Sequence, residues 1–325
     1  MIRSKHYLVL LSIWSAIFLT WHSSSAAAYP DRTVRIIVTF GVGGGSDVLA
    51  RLVGNKLSEK WGQPVVIDNR AGANGTIGLA AVVSAAPDGY MLVLYSASHV
   101  IAPFLYKMNY DPINGVKPVC LLASQPDVLV VDSSLPVRSV QELIAFAKSK
   151  PGQLNYGAQG AAIPGVLTME LLKQKAGIDV VQIIYKDATP VVGLLRKEIQ
   201  MINTTMSILL PQVNAGKFRA LAVSGTQRVS LLPNVPTLTE AIGLPGFERG
   251  GNWYGIAAPA GTPDNIIGTL YADLATVMKP PEFQDTLSQQ GLLAMVNTPK
   301  EFDNLIREES AKWGSVIKSL GIQPQ

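Results

Sequence analysis

Short β-branched runs alternate with segments of helical spacing along this chain, and the first such pair is joined by a run of glycines. Val34-Arg35-Ile36-Ile37-Val38-Thr39-Phe40 leads into Gly41-Val42-Gly43-Gly44-Gly45-Ser46-Asp47, after which apolar residues recur at helical spacing to Lys60. This reads as strand, tight loop and helix. Residues 65–67, 76–86 and 91–94 continue as strand, helix and strand, the last after the turn Pro87-Asp88-Gly89. Such alternation predicts an α/β chain with mostly parallel sheets flanked by helices.

Further along, strands are expected at 121–123 and 128–131, separated by Gln125-Pro126, then at 154–156, 180–184, 201–203, 220–223 and 254–257. Helices are expected at 140–150, 167–174, 190–196, 263–278, 281–290 and 299–320. Both halves carry β-α-β units, and the late strand at 254–257 needs a sheet to join. The economical solution is two lobes: lobe one from residues 29–128 plus 235–325, lobe two from 129–234. Each falls within ordinary domain sizes. The cleft between them is the expected ligand site, and two chain crossings make a natural hinge.

Residues 1–28 stand apart from this pattern. Arg3 and Lys5 precede an apolar run of 15 residues at 7–21, and Ser23 to Ala28 are all small. This is the layout of a secretory signal peptide cleaved after Ala28, since about 20 apolar residues are needed to span a membrane. No cysteine follows the run to carry a lipid. Removing Arg3 and Lys5 from 27 cations leaves 25 against 23 acids, a formal charge of +2 that implies no nucleic-acid partner. With 48% hydrophobic and 15% charged residues the remainder can build real cores. His99 and Cys120 are then the only remaining histidine and cysteine, so no disulfide can form within the chain and no metal site is expected.

Several loops after strands could bind something. In residues 41–47 the glycines admit close backbone approach, and the start of the following helix attracts an anion. There is no GxxxxGK[ST], and the glycine spacing is not GxGxxG, so a nucleotide phosphate is disfavoured. A tight turn capped by Ser46 or Asp47 is one reading; binding of a carboxylate-sized anion by backbone N–H groups is preferred. Arg70 is expected to fix its own loop with Asp68 rather than reach a ligand. Ser96, Ser98 and His99 follow the third strand, His99 being either a ligand-facing donor or a structural imidazole. Across the cleft, Ala158-Gln159-Gly160-Ala161-Ala162 offers mainly backbone, while Tyr185, Lys186 and Thr204 close neighbouring strands. Lys186 either neutralises an anion or pairs with Asp187.

An enzyme reading finds little support. No serine sits in a G-x-S-x-G elbow, and His99 precedes most of the chain, the wrong order for an α/β-hydrolase. A hydrolase using cleft carboxylates remains a minor alternative.

The residues resemble a known family, the substrate-binding receptors of tripartite tricarboxylate transporters, of the TctC or Bug type. The resemblance is carried by Tyr29-Pro30-Asp31-Arg32, residues 40–47, Asn69-Arg70-Ala71-Gly72-Ala73 and Ala86-Pro87-Asp88-Gly89-Tyr90. It continues through Tyr110-Asp111-Pro112, Lys150-Pro151-Gly152, Leu154-Asn155-Tyr156, Tyr185-Lys186, Pro233 to Pro236 and Ala258-Pro259-Ala260-Gly261-Thr262-Pro263. It implies a Venus-flytrap receptor of the periplasm that needs no cofactor, holds a small organic acid between its lobes and docks transiently on a membrane permease. Sensing with a related or degenerate pocket is the alternative. The positions carried over for the ligand are 41–47, Ser96, Ser98 and 158–163.

This chain departs from the family pattern at those loops. Val42 and Thr39 stand where prolines are common. The usual Ser-Ala-Gly-x-Gly-Ser of lobe two is Ala158, Gln159, Gly160, Ala161, Ala162 and Ile163, with Val166 at the position of a histidine. Asp187 replaces a glycine and Thr204 an aspartate. A pocket that has lost hydroxyls and imidazole would desolvate a polar di- or tricarboxylate poorly. An aromatic or aliphatic monocarboxylate is therefore the expected ligand.

Overall fold

The computed structural model describes residues 29–185, 190–243 and 251–324. Two sheets form, each sandwiched by helices. The first has six strands: β1 (Val34–Val38), β2 (Val65–Asn69), β3 (Met91–Ser96), β4 (Val116–Gln125), β10 (Asn252–Pro259) and β11 (Leu293–Ala294), in the order β11-β4-β10-β3-β1-β2. The second has five: β5 (Asp127–Asp132), β6 (Leu154–Ala158), β7 (Val180–Ile184), β8 (Met201–Thr205) and β9 (Phe218–Val223), in the order β7-β6-β8-β5-β9.

The two-lobed α/β architecture follows the sequence expectation, but the sheets are mixed rather than mostly parallel. β1 runs parallel to β2 and β3, whereas β10 is antiparallel to β3 and β4. In the second sheet β6 is parallel to β7 and β8, whereas β5 is antiparallel to β8 and β9. The cause is the crossing itself. β3, β6 and β8 end at the cleft, so a strand arriving from the other lobe must start there and run away from it. β5 and β10 are those arriving strands.

The crossing sits at Pro126, between the last residue of β4 and the first of β5. The second sheet therefore begins at Asp127, ahead of the boundary at 128 expected from sequence. On the return, helix α8 (Leu238–Ile242) buries Leu238 and Ala241 in the second lobe's core, inside the stretch from 235 expected in lobe one. A five-residue helix next to prolines carries too little periodicity to show which core it covers.

Each sheet has a core on both faces. Helix α1 (Gly45–Trp61) packs Leu49, Val53 and Leu57 against Ile36 and Leu92, together with helices α9 (Asp264–Met278) and α10 (Pro281–Gln289). The opposite face is covered by α2 (Thr76–Val83), α3 (Ala97–Ile101) and α11 (Pro299–Ser319). α11 starts at a capping box, Thr298 with Glu301, and Pro299 presets its first turn. Phe302, Ile306, Trp313 and Ile317 form its single buried stripe. In lobe two, α4 (Val140–Ser149) and α5 (Pro164–Ala176) cover one face of the sheet; α6 (Pro190–Leu195) and α7 (Met206–Asn214) cover the other. Among the described residues no helix is long and apolar enough to cross a membrane.

Candidate functional site

α1 begins on glycine for a steric reason. A Cβ on Gly45 would overlap the buried Gln125 side chain, which also receives a 3.2 Å hydrogen bond from the Tyr254 hydroxyl. The N-cap, Gly44, offers no side chain, so the first N–H groups of this 17-residue helix have no cap. The loop before it is held from behind by Asp47. Its carboxylate accepts from the Gly43 N–H at 3.0 Å, from Arg51 Nε at 3.0 Å and from Asn69 Nδ2 at 2.9 Å. Burial pushes this carboxyl up, but the bonds from Arg51, Gly43 and Asn69 outweigh it and hold the group below the usual carboxylate range.

A cavity of about 220 Å³ lies between the lobes at this point. Residues 40–46, Ser96 and Ser98 form its lobe-one wall; Gln159, Ile163, Thr204, Thr205 and Ile208 face them from lobe two, and Asn252 and Tyr254 close it where the chain returns. None of these lining residues carries a formal charge. The positive end of the site is backbone: the uncapped start of α1 on one side and the start of α5, whose N-cap is Ile163, on the other. The Asn252 Oδ1 is buried without a hydrogen-bond partner among the described residues.

The structure thus brings Gly41, Val42, Gly43, Gly44, Gly45, Ser46, Ser96, Ser98, Gln159, Ile163 and Thr204 to one cavity. Other expected ligand positions sit elsewhere. Asp47 points behind the loop. His99 is buried one layer below, its Nδ1 accepting from the Ser96 N–H at 2.9 Å; its proton is then on Nε2, 3.0 Å from the Thr39 hydroxyl it donates to. Burial lowers its pKa to about 3, and its ring stacks on Tyr95. This is a neutral, structural imidazole that positions the Ser96 turn. The Tyr185 hydroxyl turns away to Glu198 at 3.3 Å. Lys186 and Asp187 lie outside the described residues, as does the segment 1–28.

The lobe-two loop divides its labour. Ala158 ends β6 inside the core, and Ala162 is buried in lobe one's core. Gly160 and Ala161 touch lobe one: a Cβ on Gly160 would overlap Asn74, and the Ala161 N–H bonds to the Tyr106 phenol oxygen. Asn74 Nδ2 in turn donates to that oxygen at 2.7 Å. Val166, at the family's histidine position, is an apolar core residue.

Sequence reasoning missed Phe40, Thr205, Ile208, Asn252 and Tyr254 as wall residues. Tyr254 and Thr205 were within reach, since both sit at the cleft ends of expected strands. Asn252 and Ile208 gave no signal, because nothing local shows which side of a lobe faces the other.

A model of the tripartite tricarboxylate transporter family receptor matches residues 49–322. A curated relative, a UPF0065 protein in the tcbD-tcbE intergenic region of a Pseudomonas strain, is 33% identical over 307 residues, covering 93% of this chain and 91% of its own. Among solved structures, Rpa4515 of R. palustris with adipate superimposes with a TM-score of 0.87 at 34% identity, covering 91% of this chain and 100% of its own. MatC of Rhodopseudomonas palustris with bound malate gives 0.81 at 29% identity, covering 89% and 100%.

Proposed function

Because this chain belongs to the tripartite tricarboxylate transporter receptor family, we propose that it captures one small organic acid in the cavity between its lobes and delivers it to a membrane permease. The observation that carries this reading is the α1 N-terminus. The uncapped N–H groups of α1, with Ser98 beside them, face a cavity whose described wall residues carry no charge, an arrangement that favours a single carboxylate.

The rest of the wall narrows the ligand class. Phe40, Val42, Ile163, Ile208 and Tyr254 offer apolar surface, and among the described residues lining the cavity a second carboxylate would meet no cation to offset its desolvation. Adipate and malate, held by the structural neighbours, support the acid class. For this chain an aliphatic or aromatic monocarboxylate fits better. Residues 1–28 act in this reading as an export signal cleaved after Ala28, which puts the receptor in the periplasm.

Titration calorimetry of residues 29–325 with hexanoate, benzoate, adipate, malate and citrate tests both levels. Hexanoate or benzoate is expected to bind at one site and more tightly than the polyacids. Citrate or malate binding tightly while both monocarboxylates fail would overturn the monocarboxylate assignment, and silence from every acid would overturn the receptor reading.

A further inference from the structure

Asp127 is the first residue of β5, at the point where the chain leaves lobe one, and it is 0% exposed. Neither of its carboxyl oxygens has a hydrogen-bond partner. The Asn203 Oδ1, also buried, is unpartnered as well. A buried polar group without a partner is costly, so each such group asks for a role.

Its position is one residue behind the cavity wall. Thr205, which lines the cavity, is its partner across the β5–β8 ladder. Ile163 also lines the cavity, and Gly165 two residues later comes so near that a Cβ there would lie 3.2 Å from Asp127 Oδ2. The same Cβ would collide with the Asn203 carbonyl, so only glycine lets the start of α5 approach the acid. Among the described residues, the groups facing Asp127 are uncharged: Asn203 and Thr205 from β8, Gly165 from α5, and Ser224, whose Oγ accepts the Asp127 N–H at 2.8 Å, beside the end of β9. The Tyr254 phenol of β10 is the titratable group that senses it, and burial raises that phenol so that it stays neutral. Burial likewise pushes the Asp127 carboxyl up to about 7.

We propose that Asp127 is a proton-operated specificity residue: as a neutral acid it lets an anion occupy the cleft, and as a carboxylate it turns that anion away. This rests on the reading of the cleft as a carboxylate site. Once ionised, Asp127 places a negative charge behind the wall in a dry setting where repulsion is little screened, and it competes for the same α5 N-terminus. Linkage makes the effect reciprocal. A bound anion holds the proton on Asp127, so binding near neutral pH takes a proton up from solvent.

Calorimetry with hexanoate, whose own carboxyl is ionised throughout, tests this from pH 5.5 to 9 in pairs of buffers that differ in heat of ionisation. Affinity is expected to be flat below about pH 6 and to fall by up to about tenfold per pH unit above 7, with proton uptake on binding. Asp127→Asn is expected to bind with no such fall and no uptake. Asp127→Ser serves if the first variant does not fold, thermal melting being the check. Binding that is independent of pH, or a fall that survives in the folded variant, overturns the inference and leaves the receptor reading intact. If neither hexanoate nor benzoate, adipate, malate or citrate binds even at pH 5.5, the receptor reading falls and this inference falls with it.

Discussion

Two aspartates on either side of the cleft wall are set to opposite protonation behaviour by their surroundings. Asp47 is surrounded by donors and its pKa is lowered, so its contribution to stability is present above the unfolded-chain value and is lost as acid titrates it. Removing it with Asp47→Ala frees the Gly43 N–H and Arg51, and should cost about 1–3 kcal/mol in denaturant unfolding and about tenfold in ligand affinity. The Asp127 carboxyl accepts no hydrogen bond among the described residues and its pKa is raised to about 7, so the folded protein keeps a proton that the unfolded chain gives up. Its sign is reversed. Stability should fall between about pH 5 and 7 with a slope approaching 1.4 kcal/mol per unit, and Asp127→Asn should flatten that slope in thermal melts. The opposite trend, stability rising with pH across that window in the wild type alone, would contradict the assignment. Neither environment was legible in the sequence: Asp47 was visible as a loop or cap residue, but Asp127 is an ordinary acid at a strand start until the second sheet closes over it. His99 left two readings open for the same reason, since its partners Thr39 and Ser96 declare themselves only in three dimensions.

At the level of elements, the glycine loop and α1 were readable because a β-branched run, a glycine cluster and helical spacing follow one another without ambiguity. α11 was readable from its proline start and long apolar stripe. Phe302 on that stripe is wholly buried and stands edge-on to Trp253. Phe302→Ala should cost about 3–5 kcal/mol in denaturant unfolding, most of it from the cavity left behind. Strand directions were not readable, since β5 and β10 owe theirs to the crossing between lobes and not to local pattern. The lobe-two loop shows the same limit: its side chains predict a less polar cleft, yet only Gln159 and Ile163 of the loop line the cavity, while Gly160 and Ala161 meet Asn74 and Tyr106 of lobe one. Gly160→Ala should push those contacts apart and lower hexanoate affinity at least tenfold in calorimetry with little change in melting temperature. Adding Asn74→Ala should restore part of it, because the two changes share one contact. Equal affinity in all the variants would show that this contact does not support ligand binding.

The whole molecule is two sheets joined where β4 becomes β5 at Pro126 and where the chain returns to β10, with the cavity beside both joints. Further contacts tie the lobes away from the joints, including Gln174 Nε2 on α5 donating to the Ser319 carbonyl at the end of α11 at 2.9 Å. Two lobes could be inferred from sequence because repeated β-α-β units and a late strand needed somewhere to pair. The residues that close the cavity could not, because the relation between lobes is a property of the packed whole. The proposed carboxylate site lies at the uncapped start of α1, between the lobes. A crystal structure of residues 29–325 with hexanoate would show it. A carboxylate oxygen is expected within about 2.7–3.2 Å of the Gly45 or Ser46 N–H or the Ser98 hydroxyl, with the hydrocarbon tail against Ile163 and Ile208. A carboxylate bound outside the interlobe cavity, or turned tail-first toward the glycine loop, would contradict it.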